Sequence, residues 1–156
     1  MIKLYKNVDG VFRYHEAWED DGTITEHWGI VGERGESREH KMPKRMSEEA
    51  ALLEVLKPAL DDGYSALDED EVRVLLIEFR VDAMGSPSDL DRRHALQDRM
   101  NATLGWTGLG HCDGGSIGSG SMEVCCMVVD TDIATRVIQD DLKNTDFADY
   151  SRIYEE

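Results

Sequence analysis

Positive charge is in short supply in this chain. It sets 17 Lys and Arg against 33 Asp and Glu, a formal net charge of -16 over 156 residues. Phosphate binding depends on cationic side chains displacing counterions, so a nucleic-acid role requires the few cations to be segregated onto one face. An acidic excess suits a partner with a basic surface, or simple solubility. The deficit is uneven: residues 1–66 hold 9 Lys/Arg and 14 Asp/Glu, and residues 67–156 hold 8 and 19. An anion site therefore belongs to the first half. Cysteine is scarce too, with Cys112, Cys125 and Cys126 alone. An odd count with an adjacent pair makes a poor disulfide framework, which predicts a reduced, cytoplasmic chain. No apolar run approaches the roughly 20 residues of a membrane span, and Met1–Tyr5 has no signal-peptide apolar core. What is present, 40% hydrophobic residues, suffices for one medium or two small buried cores.

Apolar periodicity predicts the elements. Ile2 to Val8 alternates as a strand, Asp9-Gly10 turns it, and Val11 to Trp18 returns. Glu19-Asp20-Asp21-Gly22 is a second turn, Thr23 to Val31 a third strand and Glu36 to Met42 a fourth. Ser47 with Glu48 and Glu49 caps a helix that carries Leu52, Leu53, Val55, Leu56 and Leu60. Pro58 is expected to kink or end it. The charged stretch Leu67–Glu71 reads as a linker. Beyond it, Val72 to Val81 is a strand with apolar residues on both faces. A helix from Leu90 to Leu104, a short strand from Trp106 to Gly110, a Gly/Ser loop from His111 to Ser121, a strand from Met122 to Val129, a helix from Ile133 to Leu142 and a strand from Phe147 to Tyr154 follow. The predicted class is α+β: an N-terminal antiparallel sheet with one helix over residues 1–66, a linker at 67–71, and a βαββαβ ferredoxin-like sandwich over 72–156.

The segment Glu26-His27-Trp28-Gly29-Ile30-Val31-Gly32-Glu33-Arg34-Gly35 lies after strand-like residues and ahead of a helix. With Trp28, Gly29, Gly32, Gly35 and the later Gly63-Tyr64, residues 1–66 resemble the WGR domain of poly(ADP-ribose) polymerases and many bacterial proteins. The resemblance implies a nucleic-acid partner, since in those polymerases the module's tryptophan and arginine engage a DNA break. The tryptophan carries over to Trp28. The arginine position holds Ile30, which removes a phosphate-pairing donor. The C-terminal half resembles a bacterial ferredoxin-like domain of uncharacterised role.

Other constellations have bland readings beside the functional ones. Arg34, Arg38, Lys41, Lys44 and Arg45 form the one basic cluster, with the helix start at Ser47 as a further anion-binding feature, and acids are interleaved through it. The glycine run 108–121 lacks the strand-before, helix-after context and the Gly-Lys-Ser/Thr of a phosphate cradle, and reads as a long hairpin connection able to bind a ligand. His111, Cys112 and Asp113 with Cys125 and Cys126 lack the spacing of a zinc site, because adjacent strand residues point to opposite faces. No catalytic residue, cofactor or metal is assigned.

The expectation is a non-enzymatic interaction module that binds a protein partner through an acidic surface, an immunity or antitoxin-like protein being one concrete form. A nucleic-acid-associated accessory role, through Trp28 and the basic cluster, is the alternative. A small-molecule sensor with a pocket at His111 and Cys112 is the second. An open sheet in the C-terminal domain also leaves room for a homodimer.

Overall fold

Two four-stranded antiparallel sheets and three helices make an α+β chain, described by a computed structural model over residues 1–156. It divides into two compact units, Met1–Asp68 and Glu69–Glu156. The division falls within the charged stretch 67–71, where Glu69–Glu71 form a turn of 3-10 helix.

The first unit is a meander of β1 (Ile2–Val8), β2 (Val11–Asp20), β3 (Thr23–Ile30) and β4 (Glu36–Lys41), paired in that order. Two Asx-Gly turns set its register. Asp9 and Gly10 have φ of 52° and 82°, and Asp21 and Gly22 have 49° and 80°, the left-handed pair that a two-residue hairpin requires. The second turn places Glu16 opposite His27, Ala17 opposite Glu26 and His15 opposite Trp28. Helix α1 (Glu48–Asp61) covers one sheet face. Ser47 caps it by accepting from the Ala50 N–H at 3.2 Å, and Glu48 and Glu49 oppose the helix dipole. Leu52, Leu56, Ala51 and Ala59 bury against Leu4, Ala17 and Ile24, each large side chain contributing about 1.5–3 kcal/mol of burial. The chain then returns at Tyr64–Ser65, where Ser65 exchanges backbone bonds with Tyr5 at 2.8 and 3.0 Å and closes part of the β1 edge. Pro58 does not end the helix as expected. It is exposed, and the ladder continues to Asp61.

The second unit has β5 (Arg73–Arg80), α2 (Pro87–Gly105), β6 (Gly110–Gly118), β7 (Ser121–Val128), α3 (Thr131–Leu142) and β8 (Arg152–Glu155), with strand order β6-β7-β5-β8. This is the split βαβ order expected for a ferredoxin-like arrangement. Leu75, Leu76 and Ile77 are all buried. Alternate residues of β5 and β7 (Leu75, Ile77, Phe79; Met122, Val124, Cys126, Val128) form the core with Leu96, Met100 and Leu104 of α2 and Ile138 and Leu142 of α3. Ser86 and Asp89 form a reciprocal capping box ahead of α2, with Pro87 in its first turn.

Three expectations fail here. The Gly/Ser loop at His111–Ser121 is largely strand β6, with a bulge between Cys112 and Gly115 and a tight turn at Ser119-Gly120. Glycine is needed where β6 lies against β7: a Cβ on Gly110 would stand 1.9 Å from the Met127 carbonyl oxygen, and one on Gly115 would stand 2.2 Å from that of Glu123. The short strand at Trp106–Gly110 is instead the cap of α2 and a turn, with Trp106 N–H bonded to the Ala102 carbonyl. The last strand is confined to Arg152–Glu155.

Candidate functional site: a histidine–glutamate array under the Trp-Gly turn

The sheet of the first unit carries a cluster of titratable side chains at its centre, of which Tyr14, Glu16, Glu26 and His27 are buried. On the face away from α1 lie Tyr14, Glu16 and His27, exposed by 1, 2 and 1%. Glu16 Oε1 is 2.8 Å from His27 Nδ1. The other ring nitrogen, Nε2, lies 2.6 Å from the Arg34 carbonyl oxygen, which only accepts, so Nε2 carries a hydrogen. The Tyr14 hydroxyl donates to the Glu33 carbonyl at 2.8 Å and sits 3.2 Å from the same Nε2. Burial first, then the charges of Glu16 and Glu33, push its ionisation above the tyrosine range, so it remains a donor. The second Glu16 oxygen, Oε2, is buried without a partner.

These bonds fold the β3–β4 turn over the sheet. Gly35 has φ of 65°, and a Cβ there would stand 2.1 Å from the Trp28 carbonyl oxygen and 2.5 Å from the Tyr14 hydroxyl. Gly29 faces the same crowding, 2.9 Å from Gly35 Cα. The glycines of the Trp-Gly segment are thus fixed by the approach of turn to sheet.

On the α1 side of the sheet, Glu26 is 4% exposed. It accepts from His15 Nε2 and His40 Nε2, each at 2.8 Å, and from Arg38 Nη2 at 2.9 Å and Nε at 3.2 Å. Burial alone raises its pKa; the hydrogen bonds from His40, His15 and Arg38, with the Arg38 charge, outweigh that and hold the carboxyl below its ordinary value. Three residues satisfy one buried carboxylate, the condition under which such burial is tolerated. Trp28 lies on this side, its ring stacked on His15 at 5.6 Å and flanked by the Arg38 guanidinium at 5.6 Å.

The sequence-based candidates therefore do not converge. Trp28 and Arg38 meet, but Arg38 is committed to Glu26. The register places Lys41 on the opposite sheet face from Arg38. Arg34 lies in the turn, and Lys44 and Arg45 are exposed between β4 and α1. His111 is in β6 opposite Met127, so it points away from its neighbour Cys112 and the two share no pocket. No group of three or more His, Cys, Asp or Glu side chains is arranged to hold a metal ion. No helix is long and apolar enough to cross a membrane.

Sequence reasoning missed Glu16, Glu26, His15, His27 and His40. The signal was available: Asp21-Gly22 as a two-residue turn fixes the β2–β3 register and sets Glu16 against His27. No family model, curated protein or solved structure matches the chain.

Proposed function

We propose that the chain is a non-catalytic interaction module that recognises a protein partner with a basic surface. The supporting observation is the acidic end of the second unit. Pairing of Arg73 with Val128 and of Leu75 with Glu155 brings the start of β5 beside the ends of β7 and β8. Glu69, Asp70, Asp132, Glu155 and Glu156 are exposed there. Arg73, the cation placed among them, is 3.8 Å from Glu155 and donates to the Asp70 carbonyl. Concentrated charge of one sign steers a complementary partner and raises its association rate. The first unit offers nothing comparable for phosphate, because its cations are divided between sheet faces and Arg38 is held by Glu26. The WGR-like role in nucleic-acid binding is accordingly the weaker reading.

The test is capture of partners by the tagged full chain, with and without nuclease, beside a variant carrying Glu69→Gln, Asp70→Asn, Glu155→Gln and Glu156→Gln. The expected result is a basic protein retained after nuclease, released by salt and lost with the variant. Nuclease-sensitive capture that the variant leaves intact overturns the reading in favour of nucleic acid.

A further inference from the structure

We propose that Cys112 and Cys126 form a peroxide-responsive dithiol, in which Cys112 is oxidised first and Cys126 closes a disulfide across the β6–β7 pair. Neither residue takes part in the interaction surface above, so the two proposals stand or fall separately.

The geometry begins with register. Cys112 and Cys126 are direct cross-strand partners, and both are free thiols. Val129 N–H bonds to the Leu109 carbonyl at 3.0 Å. That bond makes Gly110 opposite Val128, and therefore Cys112 opposite Cys126, non-hydrogen-bonded pairs. Cys112 N–H accordingly turns away from β7 and donates to Asn101 Oδ1 at 2.8 Å. Non-hydrogen-bonded partners are the closer kind, about 4.5 Å between Cα atoms, inside the roughly 4.4–6.8 Å that a disulfide spans.

The surroundings divide the labour. Arg93, Gln97 and Asn101 lie at successive four-residue steps on α2, along one stripe of the helix. Arg93 Nε is buried with no hydrogen-bond partner, and Arg93 Cδ lies 3.3 Å from the place of a Gly115 Cβ, so the guanidinium stem reaches the bulge that follows Cys112. A hydrogen bond from the Cys126 thiol, with smaller help from the Gly114 backbone and the Arg93 charge, lowers the Cys112 thiol against the opposing effects of burial and Asp113. The same hydrogen bond, then burial, pushes Cys126 up. A lowered thiol whose direct cross-strand partner is a raised one is the arrangement of an attacking and a resolving cysteine. Cys112 sits on the edge strand and is 9% exposed, whereas Cys126 is 0% exposed. That access admits a hydroperoxide and disfavours a bulky disulfide oxidant.

The chemistry balances with a hydroperoxide as oxidant. Cys112 thiolate attacks the distal peroxide oxygen, the O–O bond breaks, and sulfenic acid and an alkoxide or hydroxide result, the latter taking up a proton. Cys126 sulfur then attacks the Cys112 sulfur; its proton and the sulfenic hydroxyl leave as water. Two thiols are oxidised and one peroxide is reduced. Cys125, on the other strand face with its thiol pushed up by burial, has no cross-strand cysteine and serves as an internal control.

The experiment treats the reduced full chain with hydrogen peroxide, alkylates the remaining thiols and maps them by peptide mass spectrometry. The expected product is a Cys112–Cys126 linked peptide, reversed by dithiothreitol, with Cys125 still alkylated. Cys126→Ser is expected to trap Cys112 sulfenic acid as a dimedone adduct, and Arg93→Met to slow Cys112 oxidation by about threefold to tenfold. Oxidation of Cys125 as fast as Cys112, or free Cys112 and Cys126 after treatment, overturns the proposal. The wild-type map decides the matter even where a variant fails to fold.

Discussion

Removing His27 tests the account of the Trp-Gly turn most severely. His27→Ala deletes the partner of Glu16 Oε1 and the donor to the Arg34 carbonyl in one step. Glu16 is 2% exposed and its Oε2 already lacks a partner, so the substitution leaves a carboxylate in the interior with no compensating hydrogen bond. Breaking a buried charge-paired contact from one side costs about 3–5 kcal/mol. Against a total of about 5–15 kcal/mol for an ordinary domain, that is a large share. At about 4–8 °C per kcal/mol for a domain of 60–100 residues, the midpoint of the first unit, Met1–Asp68, falls by about 12–40 °C. The double variant Glu16→Leu/His27→Ala removes both members, so its cost is expected to be smaller than the sum of the single changes, the signature of a coupled pair. Urea titration followed by tryptophan fluorescence, with hydrogen exchange of the β2–β3 amides to locate the loss in this unit, supplies the numbers. A His27→Ala cost below about 1 kcal/mol, or additive single changes, would refute the reasoning, because an exposed or solvated pair behaves that way.

Three further outcomes follow from the same unit. Gly35→Ala meets the Trp28 carbonyl oxygen and the Tyr14 hydroxyl and holds a left-handed φ; a loss of about 1–3 kcal/mol is expected in thermal melts, with faster exchange at the Arg34 and Gly35 amides. Glu26 has a carboxyl held below its ordinary value in the fold; its contribution is therefore complete above the unfolded carboxylate pKa and is lost as pH falls through the lowered value. Acid titration of the wild type is expected to show that limb, and Glu26→Gln to flatten it while lowering stability at neutral pH. Pro58 is exposed within α1 and cannot donate to the Glu54 carbonyl, so Pro58→Ala is expected to stabilise the unit by about 1–3 kcal/mol; a lower urea midpoint would count against the helix running straight through.

The sequence is most legible where local chemistry decides the backbone. Asp9-Gly10 and Asp21-Gly22 demand left-handed pairs, so β1 to β3 start and stop close to where their alternation does. Ser47, Ser86 and Asp130 cap their helices through side-chain acceptors that composition alone suggests. Legibility fails where a residue's role depends on what lies opposite. Gly110, Gly114 and Gly115 look like loop, yet in β6 Gly110 and Gly115 serve close approach to β7, and Gly114 lies in the bulge. Glu16, Glu26 and His27 look like solvent-facing strand residues, because a single strand does not reveal that each polar group will find its complement one strand away.

That dependence bears on what the Trp-Gly segment means. Trp28, Gly29, Gly32 and Gly35 carry the resemblance to a nucleic-acid-binding module, but two of the glycines have reasons of their own here. Gly29 and Gly35 admit the turn onto Tyr14 and His27. Trp28 closes over the His15–Glu26–Arg38 group. Packing alone is enough to favour these residues, with or without a ligand. The informative position is therefore the one that packing does not explain. An arginine in place of Ile30 would be needed for a phosphate contact of the kind the resemblance implies, whereas Ile30 only closes the β2–β3 pairing opposite Arg13. Ile30→Arg consequently separates architecture from binding. If the turn is a scaffold for phosphate recognition, that one change creates measurable, salt-dependent affinity for a nicked DNA duplex without disturbing the melt. If the turn exists to bury the Glu16–His27 pair, the variant folds equally well and binds no better than the parent.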